Sequence, residues 1–200
     1  MMVKMRGLLG CVRDGSGIKM YINKMINILS SSCDVPLTGL LVGVGEGVLI
    51  EHFHRFLNIK RLYLVDPFEP FLEKWYTRSP CMENCFVKYY PVAMKKIEKY
   101  RDTCVFIKKF AKDAIDDIPD NLDFIWLDFC GVYDTFLEVC NLYFDKIKAG
   151  GLLAGKRHTY KWEDVVRALY VFCKDRNVVL NHGIGKQAGD WWIVKNVNVN

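Results

Sequence analysis

Leu37-Thr38-Gly39-Leu40-Leu41-Val42-Gly43-Val44-Gly45-Glu46-Gly47 is the stretch that orders the rest of the chain. Its first six residues, after Pro36, carry four large aliphatics and read as a short buried strand. Gly43, Gly45 and Gly47 then interrupt it, and Val48 to Leu57 resumes with apolar residues at helical spacing. A glycine turn between a first strand and a helix lets backbone approach a ligand closely and aims helix N-terminal amides at it. The dinucleotide fingerprint G-x-G-x-x-G needs its third glycine where Val48 stands, so the spacing is G-x-G-x-G. No G-x-x-x-x-G-K-[ST] sequence follows, which disfavours a phosphate-cradling loop.

Outward from that turn, strand-like and helical runs alternate. A helix is predicted over Ile18 to Leu29 before it. After it come apolar runs at Arg61 to Val65, Cys104 to Ile107 and Leu122 to Leu127; the first ends in Asp66-Pro67 and the last on Asp128. Val132 to Ile147 reads as a helix stopped by Ala149-Gly150-Gly151, Leu152 to Ala154 as a fifth strand ended by Gly155, and Tyr160 to Cys173 as a helix. Residues 67–101 read as a loop followed by a helix from about Glu83 to Tyr100, with Pro91 as a local irregularity. This order is that of parallel βαβ units in an α/β protein. Val178 to Asn181 and Trp191 to Val194 are separated by a glycine-bearing loop too short for a crossover helix, so this last pair is expected to be antiparallel.

Two hundred residues with 51% apolar content suit a single domain, 1–200, with one extensive core. A net charge of +5 without a long basic run permits an anionic substrate but does not demand one. Several of the eight cysteines sit inside apolar patterns and read as reduced, packed thiols. Cys81 and Cys85 are the closest pair, and no second pair or nearby histidine completes a zinc set. With no membrane-spanning run and no signal-peptide pattern, the expectation is a soluble cytoplasmic protein, with no membrane partner and with room for a homo-oligomer.

Asp66, at the end of the second strand, lies on the sheet edge that carries the glycine turn, where a carboxylate can accept both ribose hydroxyls of an adenosine. With that residue the chain resembles class I S-adenosylmethionine-dependent methyltransferases, in particular the small-molecule family that contains macrocin-type sugar O-methyltransferases. The resemblance is carried by Gly43 to Gly47, Leu62 to Phe68, Phe110-Ala111-Lys112-Asp113-Ala114, Leu122 to Asp128, Lys148 to Gly155 and Trp191 to Lys195, in order over about residues 38–195. It implies a Rossmann-like three-layer sandwich whose seven-stranded, mostly parallel sheet ends in an antiparallel last strand. It also implies that S-adenosylmethionine is held by Gly43, Val44, Gly45, Glu46, Gly47, Asp66, Pro67, Phe68, Phe110, Ala111 and Asp128. In that scheme the turn wraps the methionine end, Asp66 holds the ribose, Phe68 and Ala111 border the adenine, and Asp128 faces the methyl centre. Where the family has an acidic residue two before the first glycine, this chain has Leu41, and Glu46 or water is the candidate substitute.

Sugar-methylating relatives hold a divalent metal near the fourth and fifth strand ends. Here Gly131 occupies the usual histidine position, and Lys156-Arg157-His158 stands where His-Asp-Tyr is common, so no metal is expected. Asp128, Lys156 and His158 are the candidates for removing an acceptor proton. His52 and His54 read as structural, and Trp75 and Tyr76 as pocket-lining. The leading expectation is an O-methyltransferase acting on a hydroxyl of a sugar, glycan or other small polar molecule, with the N-terminal helical segment, 1–35, capping the substrate side. One alternative is RNA ribose 2′-O-methylation, because Lys24, Asp128, Lys156 and Asp190 stand in places comparable to a Lys-Asp-Lys-Glu tetrad. Another is a non-catalytic binding subunit, motivated by Leu41 and the altered metal positions.

Overall fold

The structure, a computed structural model, describes residues 35–69, 83–129, 131–158, 160–183 and 189–196; the side chains of 83–85, 157, 158 and 160 are outside that description. The expected N-terminal helix, Lys24, Trp75 and Tyr76 lie outside the described residues.

Seven strands form one sheet: β1 (Leu37–Val42), β2 (Ile59–Val65), β3 (Cys104–Ile107), β4 (Leu122–Leu127), β5 (Ile147–His158), β6 (Asn181–His182) and β7 (Gly189–Val194). Their spatial order is β3-β2-β1-β4-β5-β7-β6. The pairs among β1 to β5 are parallel, and β7 runs antiparallel to both β5 and β6. This is the expected α/β fold. The helices are α1 (Val48–Phe56), α2 (Glu83–Lys99), α3 (Tyr133–Asp145) and α4 (Glu163–Asp175), with short 3-10 turns at Ile115–Asp117 and Tyr160–Trp162.

Because side chains alternate along a strand, one register row belongs to one face. Leu41, Trp126, Ala154 and Trp192 form such a row across β1, β4, β5 and β7, and pack with Leu49, Ile50 and Phe53 of α1 and Ala93 and Ile97 of α2. Leu40, Ile125, Leu153 and Ile193 form the adjacent row on the opposite face, under Val139 and Tyr143 of α3 and Ala168 and Phe172 of α4. Both faces are therefore dry, which is why the central strands read as continuous apolar runs instead of alternating ones.

Three boundaries differ from local expectation. β5 begins at Ile147, so Ala149-Gly150-Gly151 lies within a strand instead of ending the preceding helix. There Gly150 N donates to Lys195 O at 2.8 Å and Lys195 N to Gly151 O at 2.9 Å, so the residue just past β7 supplies the partners that hold the glycines in the sheet. α2 runs unbroken through Pro91. β6 shrinks to Asn181–His182, consistent with an edge strand that has only β7 to pair with.

Candidate active site

The carboxyl ends of β1, β2, β4 and β5 meet the glycine turn on one edge of the sheet. Gly43 N donates to Val65 O at 2.9 Å and Asp128 N to Val42 O at 2.8 Å, which ties the turn between β2 and β4. Gly43 has φ +88°, and a Cβ there would stand 2.5 Å from the Asp128 carbonyl oxygen, so the close approach of the two strand ends requires glycine. Gly45 has φ +53°, and among the described residues no atom beyond its chain neighbours lies within 4 Å of where its Cβ would stand. That backbone presents an open surface, the kind of approach a ligand needs. Leu41 is fully buried below, and Glu46 is exposed on the turn.

Asp66 is the one buried charged residue among the described residues, 8% exposed. Its Oδ2 accepts the amides of Val44 at 2.8 Å and Gly45 at 3.2 Å, and its Oδ1 accepts that of Phe68 at 2.8 Å. Burial pushes its carboxyl above the ordinary range, and the three amides oppose that shift. A carboxylate has about four acceptor positions, so this one builds the glycine turn and keeps room for about one hydroxyl, not the two expected of a pure ribose ligand. The bond to Phe68 also holds that residue at φ +49°. Its ring is buried and packs edge-on against Tyr90 and Phe106.

Phe110 and Ala111, the other expected adenine neighbours, sit in a tight turn after β3. Asp113 N and Ala114 N both donate to Phe110 O, at 3.0 and 3.1 Å. The buried Tyr143 of α3 donates its hydroxyl to Ala111 O at 2.7 Å, and burial raises the phenol well above its usual value. Nothing local marked Tyr143, because its partner is 32 residues away.

On the acceptor side, Asp128 and Lys156 come together, with Nζ to Oδ2 at 4.0 Å and side chains 22% and 31% exposed. Asp190 joins them from β7. Burial pushes its carboxyl up to about 6; Lys156 pulls it down and the charge of Asp128 pushes it up. Of the four charged residues considered for a ribose tetrad, Asp128 and Lys156 pair, Asp190 lies across the β5–β7 register from Lys156, and Lys24 is outside the described residues. His158 ends β5 opposite Gly189, with its side chain outside the description. His52 and His54 are structural as expected: each Nδ1 faces a carbonyl one helical turn back, at 2.9 and 2.8 Å. Cys104 and Cys173 are free and buried, with thiols pushed up to about 11 by burial. No described helix is long and apolar enough to cross a membrane.

No protein-family model and no curated protein matches the sequence. Solved structures do match. One is a precorrin-6y C5,15-methyltransferase from Geobacter metallireducens, with TM-score 0.58 and 12% identity, covering 91% of this chain and 93% of the other. A second is an rRNA methylase from Streptococcus thermophilus, with TM-score 0.60 and 13% identity, covering 90% and 99%. A third is an O-methyltransferase family protein from Burkholderia thailandensis, with TM-score 0.57 and 15% identity, covering 88% and 56%. The chain has the Rossmann-like methyltransferase fold. At these identities the likeness speaks for architecture, so acceptor and chemistry must be argued from the site.

Proposed function

We propose that this chain is an S-adenosylmethionine-dependent O-methyltransferase acting on a hydroxyl of a sugar, glycan or other small polar molecule. The observation that carries the reading is the open backbone at Gly45 on the same sheet edge as the Asp128–Lys156 pair. The residues present fit the cofactor. Gly43 to Gly47 would hold its methionine end, Oδ1 of Asp66 a ribose hydroxyl, and the Phe110-Ala111 turn its adenine. Leu41 supplies no carboxylate near the amino end, and the exposed Glu46 is the nearest acidic residue in the turn.

When bound, the cofactor supplies an electrophilic methyl on a sulfonium sulfur, open to in-line displacement. The protein's own work is alignment and proton handling. Asp128 accepts a hydrogen bond from the acceptor hydroxyl and takes its proton as the new bond forms. The Lys156 ammonium donates to the same oxygen and steadies the charge that develops there. Both groups are partly shielded from water, which strengthens their pull on the acceptor.

Incubation with methyl-labelled cofactor and a panel of glycans, nucleosides and RNA tests the reading, with label expected on a small polyol. Asp128→Asn is expected to slow transfer at least about 100-fold while S-adenosylhomocysteine binding changes little, the size usual for losing a general base. Label on RNA alone would replace the sugar reading with ribose 2′-O-methylation. No binding of S-adenosylhomocysteine at high micromolar concentration would leave a non-catalytic scaffold.

A further inference from the structure

Across β5 and β7, Gly155 pairs with Trp191 and His158 with Gly189, so Lys156 and Arg157 together oppose Asp190. Two residues against one is a β-bulge, which takes a residue out of the regular ladder and re-aims side chains at the rim of a site. Here a side chain meets the Lys156 carbonyl: the indole Nε1 of Trp191 donates to it at 2.9 Å. The indole can lie so close to β5 because residue 155 is glycine. A Cβ there would stand 2.7 and 2.9 Å from two carbons of the Trp191 ring and would also overlap the Leu127 carbonyl oxygen.

The Trp191 ring is itself 1% exposed and held by a second ring. Phe136 of α3 stands edge-on to it, with centroids 6.2 Å apart and planes at 70°. The same Phe136 stacks on Phe129 at 5.3 Å, and Phe129 directly follows Asp128. One aromatic group therefore touches both the backbone root of Lys156 and the residue next to Asp128. The Lys156 ammonium rides on a flexible four-carbon stem, 4.0 Å from the Asp128 carboxylate. That separation is longer than a hydrogen bond, so the root of the side chain governs where the ammonium can reach.

We infer that Trp191 is a positioning residue: its indole N–H holds the Lys156 backbone in the β5 bulge, and so sets the ammonium beside Asp128 where the acceptor oxygen arrives. The inference rests on the reading above, in which Lys156 donates to the acceptor hydroxyl. A misplacement of about 1 Å at a reacting group is enough to slow a reaction about 100-fold. Indole suits this place because it joins a large apolar ring, packed on Gly155 and Phe136, to a donor at the ring's edge.

The test uses the full chain with Trp191 replaced by benzothienylalanine, which keeps the bicyclic ring and lacks the N–H, and with Trp191→Phe as a second variant. Acetylation by an N-hydroxysuccinimide ester, read at each lysine by mass spectrometry, needs no acceptor. Lys156 is expected to label about threefold or more faster in the variants, the size that one lost neutral hydrogen bond allows. Lys96 and Lys146, similarly shielded at 21% and 22% exposure but paired with Glu51 and Asp120, should keep their rates. An unchanged Lys156 rate in the benzothienylalanine protein overturns the proposal, and so does a rise at all three lysines, which would mean a loosened fold. A kinetic arm follows methyl transfer to whichever acceptor the panel labels. Loss of the N–H should lower kcat about tenfold or more and leave S-adenosylhomocysteine binding within about twofold. In a Lys156→Met background the same replacement should change kcat less than about twofold, because its effect runs through the ammonium. An equal loss in both backgrounds overturns the proposal. If nothing in the panel is labelled, the methyl-transfer reading fails, and the lysine rates still decide whether Trp191 holds Lys156.

Discussion

Gly45 and Gly43 lie two residues apart in one turn, yet alanine at each is expected to do opposite things. At Gly45 the φ of +53° lies in the left-handed region and the space around the absent Cβ is open, so Gly45→Ala costs strain alone. That strain is about 1–2 kcal/mol, or roughly 2–8 °C in Tm for a chain this long. At Gly43 a Cβ would meet Asp128 O at 2.5 Å, Asp128 C at 2.7 Å and Phe129 N at 2.8 Å, all of them backbone atoms. Gly43→Ala therefore adds an overlap of about 1–3 kcal/mol to a similar strain, and should destabilise by about 2–5 kcal/mol. Binding is expected to run the other way relative to stability. Gly45→Ala should stay folded and weaken S-adenosylhomocysteine binding at least about tenfold, equivalent to about 1.4 kcal/mol, because the added methyl occupies the open approach to the turn. Thermal melts and calorimetric titration of both variants read the two effects separately. If Gly45→Ala binds S-adenosylhomocysteine as tightly as the wild type, the open face of Gly45 is not where the cofactor lies.

Three further outcomes follow from particular contacts. Tyr143→Phe removes the donor to Ala111 O and should cost about 1–2 kcal/mol in urea unfolding while weakening S-adenosylhomocysteine binding several-fold; unchanged binding would show that this turn does not support the adenine. Lys195→Met should lower Tm by roughly 2–8 °C, because the Lys195 Nζ donates to the carbonyls of Phe144, Asp145 and Ile147 at the C-terminal end of α3; an unshifted melt would mean these bonds only replace hydration. His54 has its pKa lowered by burial, with the Ile50 carbonyl opposing and Lys99 adding to the shift. Its contribution to stability is therefore full above the ordinary value of 6.5 and lost as pH falls through the lowered folded value, so urea midpoints of wild type and His54→Gln should diverge least at acid pH and most at neutral pH.

Local pattern carried the order of strands and helices, the glycine turn and the antiparallel end of the sheet. Each of these is written in neighbouring residues: the aliphatic run before Gly43, the helical spacing after Gly47, and a loop between the last strand runs too short to cross over. Candidate residues at strand ends were legible for the same reason, since Asp66 and Asp128 follow directly on buried runs. Side-chain employment was not. Only the fold brings the Val44 and Gly45 amides, 22 and 21 residues earlier, onto the Oδ2 of Asp66, so that the expected cofactor ligand also builds the turn. Phe68, expected to border the adenine, gains its ring contacts with Tyr90 of α2 and Phe106 of β3 only in the fold.

Gly150 and Gly151 stop a helix by local rule, yet they continue β5 because Lys195, from the far end of the chain, exchanges hydrogen bonds with them. Likewise Lys156 and Asp190 become neighbours only through a bulge in the β5–β7 register. What the sequence determined by itself is the kind and succession of elements, because propensity and periodicity act over a few residues. What only the tertiary structure decided is which polar groups meet, because register, bulges and burial depend on strands brought together from opposite ends of the chain.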